Sequence, residues 1–205
     1  MKTKLTLIIA ALIFCAQASA AGEADAGKGL YAPCVACHGS QGEGNPALNS
    51  PALGGQDPAY IERQLRHFKS GVRGAEPRDT YGMQMRGMAG TLADDAAIAN
   101  VSAYIATLPV ATTEPVEHDK RNGEVQYNAA CGACHGAKAE GNPVLNAPRL
   151  AGLDAVYLKR QYQNFGNGVR GAHPDDRLGK QMALMATMLA TDKDLDDVIG
   201  FILAQ

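Results

Sequence analysis

Cys34-Val-Ala-Cys37-His38 and Cys131-Gly-Ala-Cys134-His135 are the two places in this 205-residue sequence where residue types and spacing point directly at chemistry. Two thiols held close on one turn can each form a thioether with a vinyl group. The histidine that follows lies under the ring so attached and can bind its iron through Nε2. Cys-x-x-Cys-His is the attachment signature of c-type haem for that reason. The other uses of paired cysteines fit less well. Two disulfides would account for four cysteines in an exported chain, but not for a histidine after both pairs. Zinc asks for further Cys or His ligands, and the remaining His67, His118 and His173 are unrepeated.

The two motifs sit inside one unit written twice, at an offset of 97 residues. Asn45-Pro46 recurs as Asn142-Pro143 and Pro51 as Pro148. Tyr60, Gln64 and Phe68 recur as Tyr157, Gln161 and Phe165. Gly71-Val72-Arg73-Gly74 recurs unchanged as Gly168-Val169-Arg170-Gly171. Upstream of the first cysteine one inserted residue brings Tyr31 onto Tyr127. Domains are expected at 21–109 and 118–205. Between them the two-proline stretch from Pro109 to Glu117, with 110–117 as its core, reads as a linker.

The sixth ligand of each iron must come from elsewhere in the unit. The metal-competent residues repeated downstream are Met85/Met182 and Met88/Met185, whereas Met83 and Met188 have no methionine counterpart. The repeat leaves these two pairs open. A methionine is most often core filler, but the region between the helices has little core to fill, and thioether sulfur is a soft ligand suited to haem iron. His/Met ligation raises the reduction potential relative to two imidazoles. It also fills both axial positions, so a carrier is expected and not an enzyme. A metal-bound histidine usually donates its other N–H to an acceptor, and the carbonyls of Pro51 and Pro148 are candidates. Arg73 and Arg170 are candidate partners for haem propionates.

Three main helices per unit are expected to position these groups. The first ends at the motif, around 25–33 and 120–130. The second starts near Pro58, a suitable first-turn residue, and places Ile61, Leu65 and Phe68 on one face, as its copy places Leu158, Tyr162 and Phe165. Gly71 and Gly168 stop it. The third, about 93–107, turns Ile98, Val101 and Ile105 inward, and its copy Leu195, Val198 and Ile202. Loops fill the rest, and no segment alternates as a strand would. The fold class is mostly α, with each unit wrapped around a covalent haem that supplies core volume the chain lacks, since it has no Trp and only 5% aromatic residues.

Residues 1–20 have the plan of a cleaved signal peptide: Lys2 and Lys4, the apolar run Leu5 to Cys15, then Ala18-Ser19-Ala20. A lipoprotein signal at Cys15 is disfavoured by the bulky Phe14 before it. Cleavage after Ala20 removes two lysines and no acid, so the net charge moves from −2 to −4. An acidic chain without a basic stripe is not expected to bind nucleic acid, but suits a basic docking surface on a redox partner.

With these residues in view, each half resembles a class I cytochrome c, and the whole resembles the dihaem cytochrome c4 family. The resemblance covers the mature chain. It rests on both CxxCH motifs, Pro51–Gly55 and Pro148–Gly152, the Tyr/Gln/Phe helix after each, and Met85-Arg-Gly-Met-Ala-Gly-Thr-Leu92. The resemblance implies that the axial methionine lies seven residues before the leucine that opens the last helix. That gives His38 with Met85, and His135 with Met182. It further implies a pseudo-twofold axis with propionates near the domain interface, and a periplasmic carrier at the membrane surface. Such a carrier takes electrons from a quinol-oxidising complex or another donor and delivers them to a terminal oxidase. A cytochrome subunit bound to a dehydrogenase and a dihaem peroxidase are the competing functions.

Overall fold

The structure, a computed structural model, describes residues 22–205. The expected signal peptide at 1–20 lies outside the described residues. The described chain is helical, with two isolated bridges, Asn45 to Ser50 and Asn142 to Ala147, and no strand.

The first domain contains α1 (Ala24–Tyr31), α2 (Val35–His38), α3 (Pro58–Ser70), α4 (Thr80–Ala89) and α5 (Asp95–Thr107). The second repeats them as α6 (Lys120–Ala130), α7 (Gly132–His135), α8 (Ala155–Gly166), α9 (Arg177–Met185) and α10 (Asp192–Leu203). Helices α3 to α6 and α8 to α10 each begin on an Asp or Thr whose side chain accepts from a first-turn N–H. Asp57 Oδ1 accepts from Tyr60 N and Asp154 Oδ1 from Tyr157 N, which satisfies a first-turn donor. Gly71 ends α3 in the left-handed region at φ 81°, where a glycine carries no Cβ penalty. The copy differs, because α8 already stops at Gly166 with Asn167 as its cap, two residues before Gly168.

In both domains the first and last helices cross. Gly27 and Gly123 permit the approach, since a Cβ on either would collide with the carbonyl oxygen of Asn100 or Asp197. Around the crossings, Tyr31 stacks near Tyr104 with centroids 5.5 Å apart, and Tyr127 near Phe201 at 4.8 Å. Ile61, Phe68, Ile98, Val101 and Ile105 are buried, as are Leu158, Phe165, Leu195, Val198 and Ile202. The helical periodicity of the sequence therefore located the inward faces.

The methionine segments correct the three-helix expectation. They are the helices α4 and α9, not loops. Asp79 and Asp176 start them, each accepting from the backbone N–H three residues on, at Gly82 and Gly179, at 2.9 and 2.8 Å. Glycines within both segments weaken the sequence signal, whereas the buried caps and the packing of α4 on α3 and α9 on α8 outweigh it.

Between the domains, residues 109–119 run without helix. Thr113 Oγ1 donates to Leu203 O at 3.1 Å, and Ala111 packs on the second core.

The candidate haem sites and the interface between them

Each CxxCH motif lies at the end of the first helix of its domain and on the short helix that follows. Tyr31 and Tyr127 hold this corner. Their hydroxyls donate to Gly39 O at 2.9 Å and Gly136 O at 2.7 Å. Both rings are buried to 2% or less, and burial raises both phenols well above their usual range, so they remain donors. Neither was singled out from sequence beyond its place in the repeat.

The four motif cysteines form no disulfide; Cys37 and Cys134 are exposed, and Cys34 and Cys131 half-buried. Burial, and then the neighbouring Cys134, push the Cys131 thiol up to about 11. Among the described residues no three His, Cys, Asp or Glu side chains converge on a metal position.

The two histidines have the same environment. His38 Nδ1 donates to Pro51 O at 2.8 Å, and His135 Nδ1 to Pro148 O at 2.8 Å. That bond fixes the tautomer and leaves Nε2 as the ligating atom. Burial lowers both imidazoles below their ordinary range, against the opposing effect of the carbonyl bond. A neutral imidazole with a free Nε2 is the form that binds iron.

A largely apolar cavity opens beside the second motif. Its walls include Cys131, Cys134, His135, Met182 and Met185. It does not end at the domain boundary, because Pro51, Tyr60 and Gln64 of the first domain also line it. Met83, Met88 and Met188 are 42%, 39% and 61% exposed, whereas Met85, Met182 and Met185 are half-buried.

Reciprocal contacts join the domains. Arg63 Nη2 donates to Asn146 O at 2.8 Å, and its counterpart Arg160 Nη2 to Asn49 O at 2.9 Å. Arg73 donates to Gln64 at 2.7 Å and across to Gln161 at 3.2 Å. Arg170 donates to Gln161 at 2.8 Å and across to Gln64 at 2.9 Å. Residue i meeting the copy of j, and j the copy of i, is the mark of a twofold relation. Arg73 and Arg170 are 9% and 8% exposed, and their Nε atoms are buried without a partner. Two buried guanidiniums between two neutral amides, each with an unused donor, form a cradle for carboxylates. That suits haem propionates.

The cytochrome c family model matches residues 24–109 and 121–205, once per repeat. Cytochrome c4 of Azotobacter vinelandii is 31% identical, with 98% of each chain covered. The crystal structure of reduced recombinant cytochrome c4 from Pseudomonas stutzeri has a TM-score of 0.72 at 29% identity, over 89% of this chain and 98% of that one. The chain belongs to the cytochrome c4 family. A more partial relative is the cbb3-type cytochrome c oxidase subunit FixP of Sinorhizobium medicae, 35% identical over 61% of this chain and 42% of its own.

As a cytochrome c4 family member with a CxxCH motif in each domain, the protein carries two covalent haem c groups and is a dihaem electron carrier. The motif cysteines, the oriented imidazoles and the apolar cavity fit those groups.

Proposed function

We propose that this cytochrome takes electrons from a quinol-oxidising complex or another donor outside the cytoplasm and delivers them towards a terminal oxidase, without catalysing a substrate reaction itself. The thioether positions are Cys34, Cys37, Cys131 and Cys134. The axial ligands are His38 with Met85, and His135 with Met182. When bound, haem iron supplies one-electron exchange between its ferric and ferrous states.

The chain's own groups do the rest. The Pro51 and Pro148 carbonyls hold the two imidazoles in one tautomer and one orientation, which limits reorganisation as charge changes. Largely apolar walls surround the second site and keep its surroundings of low polarity. The Arg73/Gln161 and Arg170/Gln64 contacts fix one domain against the other, so the relation between the two sites does not drift. The observation that supports the reading is the cavity lined by His135 and also by Pro51 of the first domain, whose carbonyl orients His38.

The oxidase as acceptor is supported by the likeness to FixP, and location in the periplasm by the signal-peptide plan of residues 1–20. The test is oxidation of the prereduced holoprotein by a purified haem–copper oxidase under oxygen. Turnover that saturates with cytochrome concentration supports the reading. Rapid, stoichiometric binding of carbon monoxide to the ferrous protein would instead indicate an open coordination position and a catalytic role.

A further inference from the structure

The interface is duplicated in Arg63/Arg160, Gln64/Gln161 and Arg73/Arg170, but the duplication fails at several positions, His67 among them. His67 on α3 has Asn164 as its counterpart. The acids that these positions accompany, Asp176 and Asp79, are themselves equivalent, and each caps its methionine-bearing helix. Only one half of the interface therefore has a titratable side chain here.

The geometry around His67 is that of a proton site left open. Its side chain is 17% exposed, and Nδ1 points across the domain boundary to Asp176 Oδ1 at 3.8 Å, beyond hydrogen-bond reach. That Nδ1 is buried and has no partner. The charged groups facing the ring are Asp176 from the start of α9, Arg170 from the loop after α8, Arg73 from the loop after α3, and Arg63 on α3 itself. Asp176 favours the imidazolium and the three cations oppose it, Arg73 and Arg170 less so where haem propionates pair with them.

We propose that His67 is a redox-linked proton site: the domain interface takes up a proton at His67 when the protein accepts an electron, and returns it on oxidation. The step balances as one electron from the donor to ferric iron, and one proton from solvent to a ring nitrogen of His67. No bond other than N–H forms. Reduction removes one positive charge from iron, so the imidazolium is favoured in the ferrous protein. Through the low dielectric of the interior, that lost charge raises the proton affinity of His67 by roughly a few-fold. The proton places a donor on Nδ1 opposite Asp176 and completes an ion pair between the domains.

Burial, then the three arginines, hold the neutral ring below its ordinary range despite Asp176. The pH window accordingly lies near and below the unperturbed imidazole value of about 6.5. In that window the midpoint potential falls as pH rises, because the reduced form has the higher proton affinity.

The test uses the dihaem holoprotein and His67→Asn, which installs the residue found at the equivalent place in the other domain. Proton NMR titration in the ferric and ferrous states, with the variant assigning the His67 resonance, is expected to show a several-fold higher proton affinity in the ferrous state. Potentiometric titration from pH 5 to 8 is expected to lose one component of its pH dependence in H67N. A propionate contribution would persist in the variant, so the difference between the two proteins is the readout. Asp176→Asn, which retains a good capping residue, is expected to move the window to lower pH. Identical titration of His67 in both redox states, or an unchanged pH slope in H67N, overturns the proposal. The inference rests on the dihaem reading. Unaltered visible absorption of H67N at both haems separates its failure from a failure of ligation.

Discussion

His38 donates its Nδ1 proton to the carbonyl of Pro51 at 2.8 Å, across thirteen residues of chain, and the second domain repeats the bond at the same distance and the same separation. The loop that returns Pro51 to His38 turns at Gly44, whose N–H donates to His38 O at 2.8 Å. Its copy Gly141 donates to His135 O at 2.7 Å. Two backbone strands are thus pinned on either side of each ligand.

Gly44→Ala and Gly141→Ala should loosen that pin. Both glycines sit at positive φ, 81° and 84°. A Cβ on Gly44 would lie 2.5 Å from Ala52 N and 2.7 Å from Pro51 C, and one on Gly141 2.6 Å from Arg149 N and 2.9 Å from Pro148 C. The neighbour that must yield is the proline segment itself. Each variant is expected to lose about 1–3 kcal/mol of stability and to speed exchange of the axial histidine Nδ1 proton in the altered domain. Denaturant unfolding and NMR exchange of the holoprotein measure the two effects.

Arg160 should matter more to domain docking than Arg63. Both donate to an asparagine of the other domain, but Arg160 also lies over Tyr81 of the first domain at 4.6 Å and over Tyr157 at 5.5 Å, whereas Arg63 covers Tyr60 alone at 5.4 Å. Hydrogen bonds from a charged group contribute about 1.5–3 kcal/mol and a partly buried cation–π contact about 1. Arg160→Ala is expected to cost about 1 kcal/mol more than Arg63→Ala, and to split calorimetric unfolding into two transitions. Equal costs would indicate that the stacking contributes nothing.

The second domain should lose stability at acid pH through Asp197. Hydrogen bonds from Lys193 and Asn122, then from the Asp119 backbone, hold its carboxyl down at about 2. A depressed carboxyl stabilises the fold above its unfolded value of about 3.9, and that contribution disappears as pH falls towards 2. In the first domain the neutral Asn100 fills the corresponding place and accepts from Glu23 N at 2.8 Å. Asp197→Asn should therefore start lower at pH 7, and its denaturation midpoint should converge with wild type between pH 4 and 2. Parallel curves across that range would rule out this role for the carboxylate.

How much was legible in advance depended on how local the signal was. The CxxCH motifs and the inward faces of α3, α5, α8 and α10 are short-range patterns, read directly from residue order. The Pro51 and Pro148 acceptors were visible because the repeat preserved them. Helices α4 and α9 were missed, since Gly82 and Gly179 depress helix propensity and the buried caps that start them register only once the chain has folded. Arg73 and Arg170 were picked out as propionate partners from their repeated Gly-Val-Arg-Gly setting, but not as side chains reaching the opposite domain's glutamine. That contact depends on domain placement, of which single-domain periodicity carries no trace. The pairing of Arg63 and Arg160 with Asn146 and Asn49 was also hidden. Their 97-residue equivalence is in the sequence, but surface arginines and loop asparagines recur without consequence in most chains.

The most direct test of the ligation proposed for the two sites is the sulfur-to-iron charge-transfer absorption of the oxidised protein, measured per haem. Wild type is expected to show it at two-haem intensity. Met85→Ala and Met182→Ala should each remove half, and the double variant all of it. Met88→Ala and Met185→Ala should leave it in place. Full intensity retained in Met182→Ala together with its loss in Met185→Ala would contradict the assignment in the second domain. Absence of the band from the wild-type protein would contradict His/Met ligation at both sites.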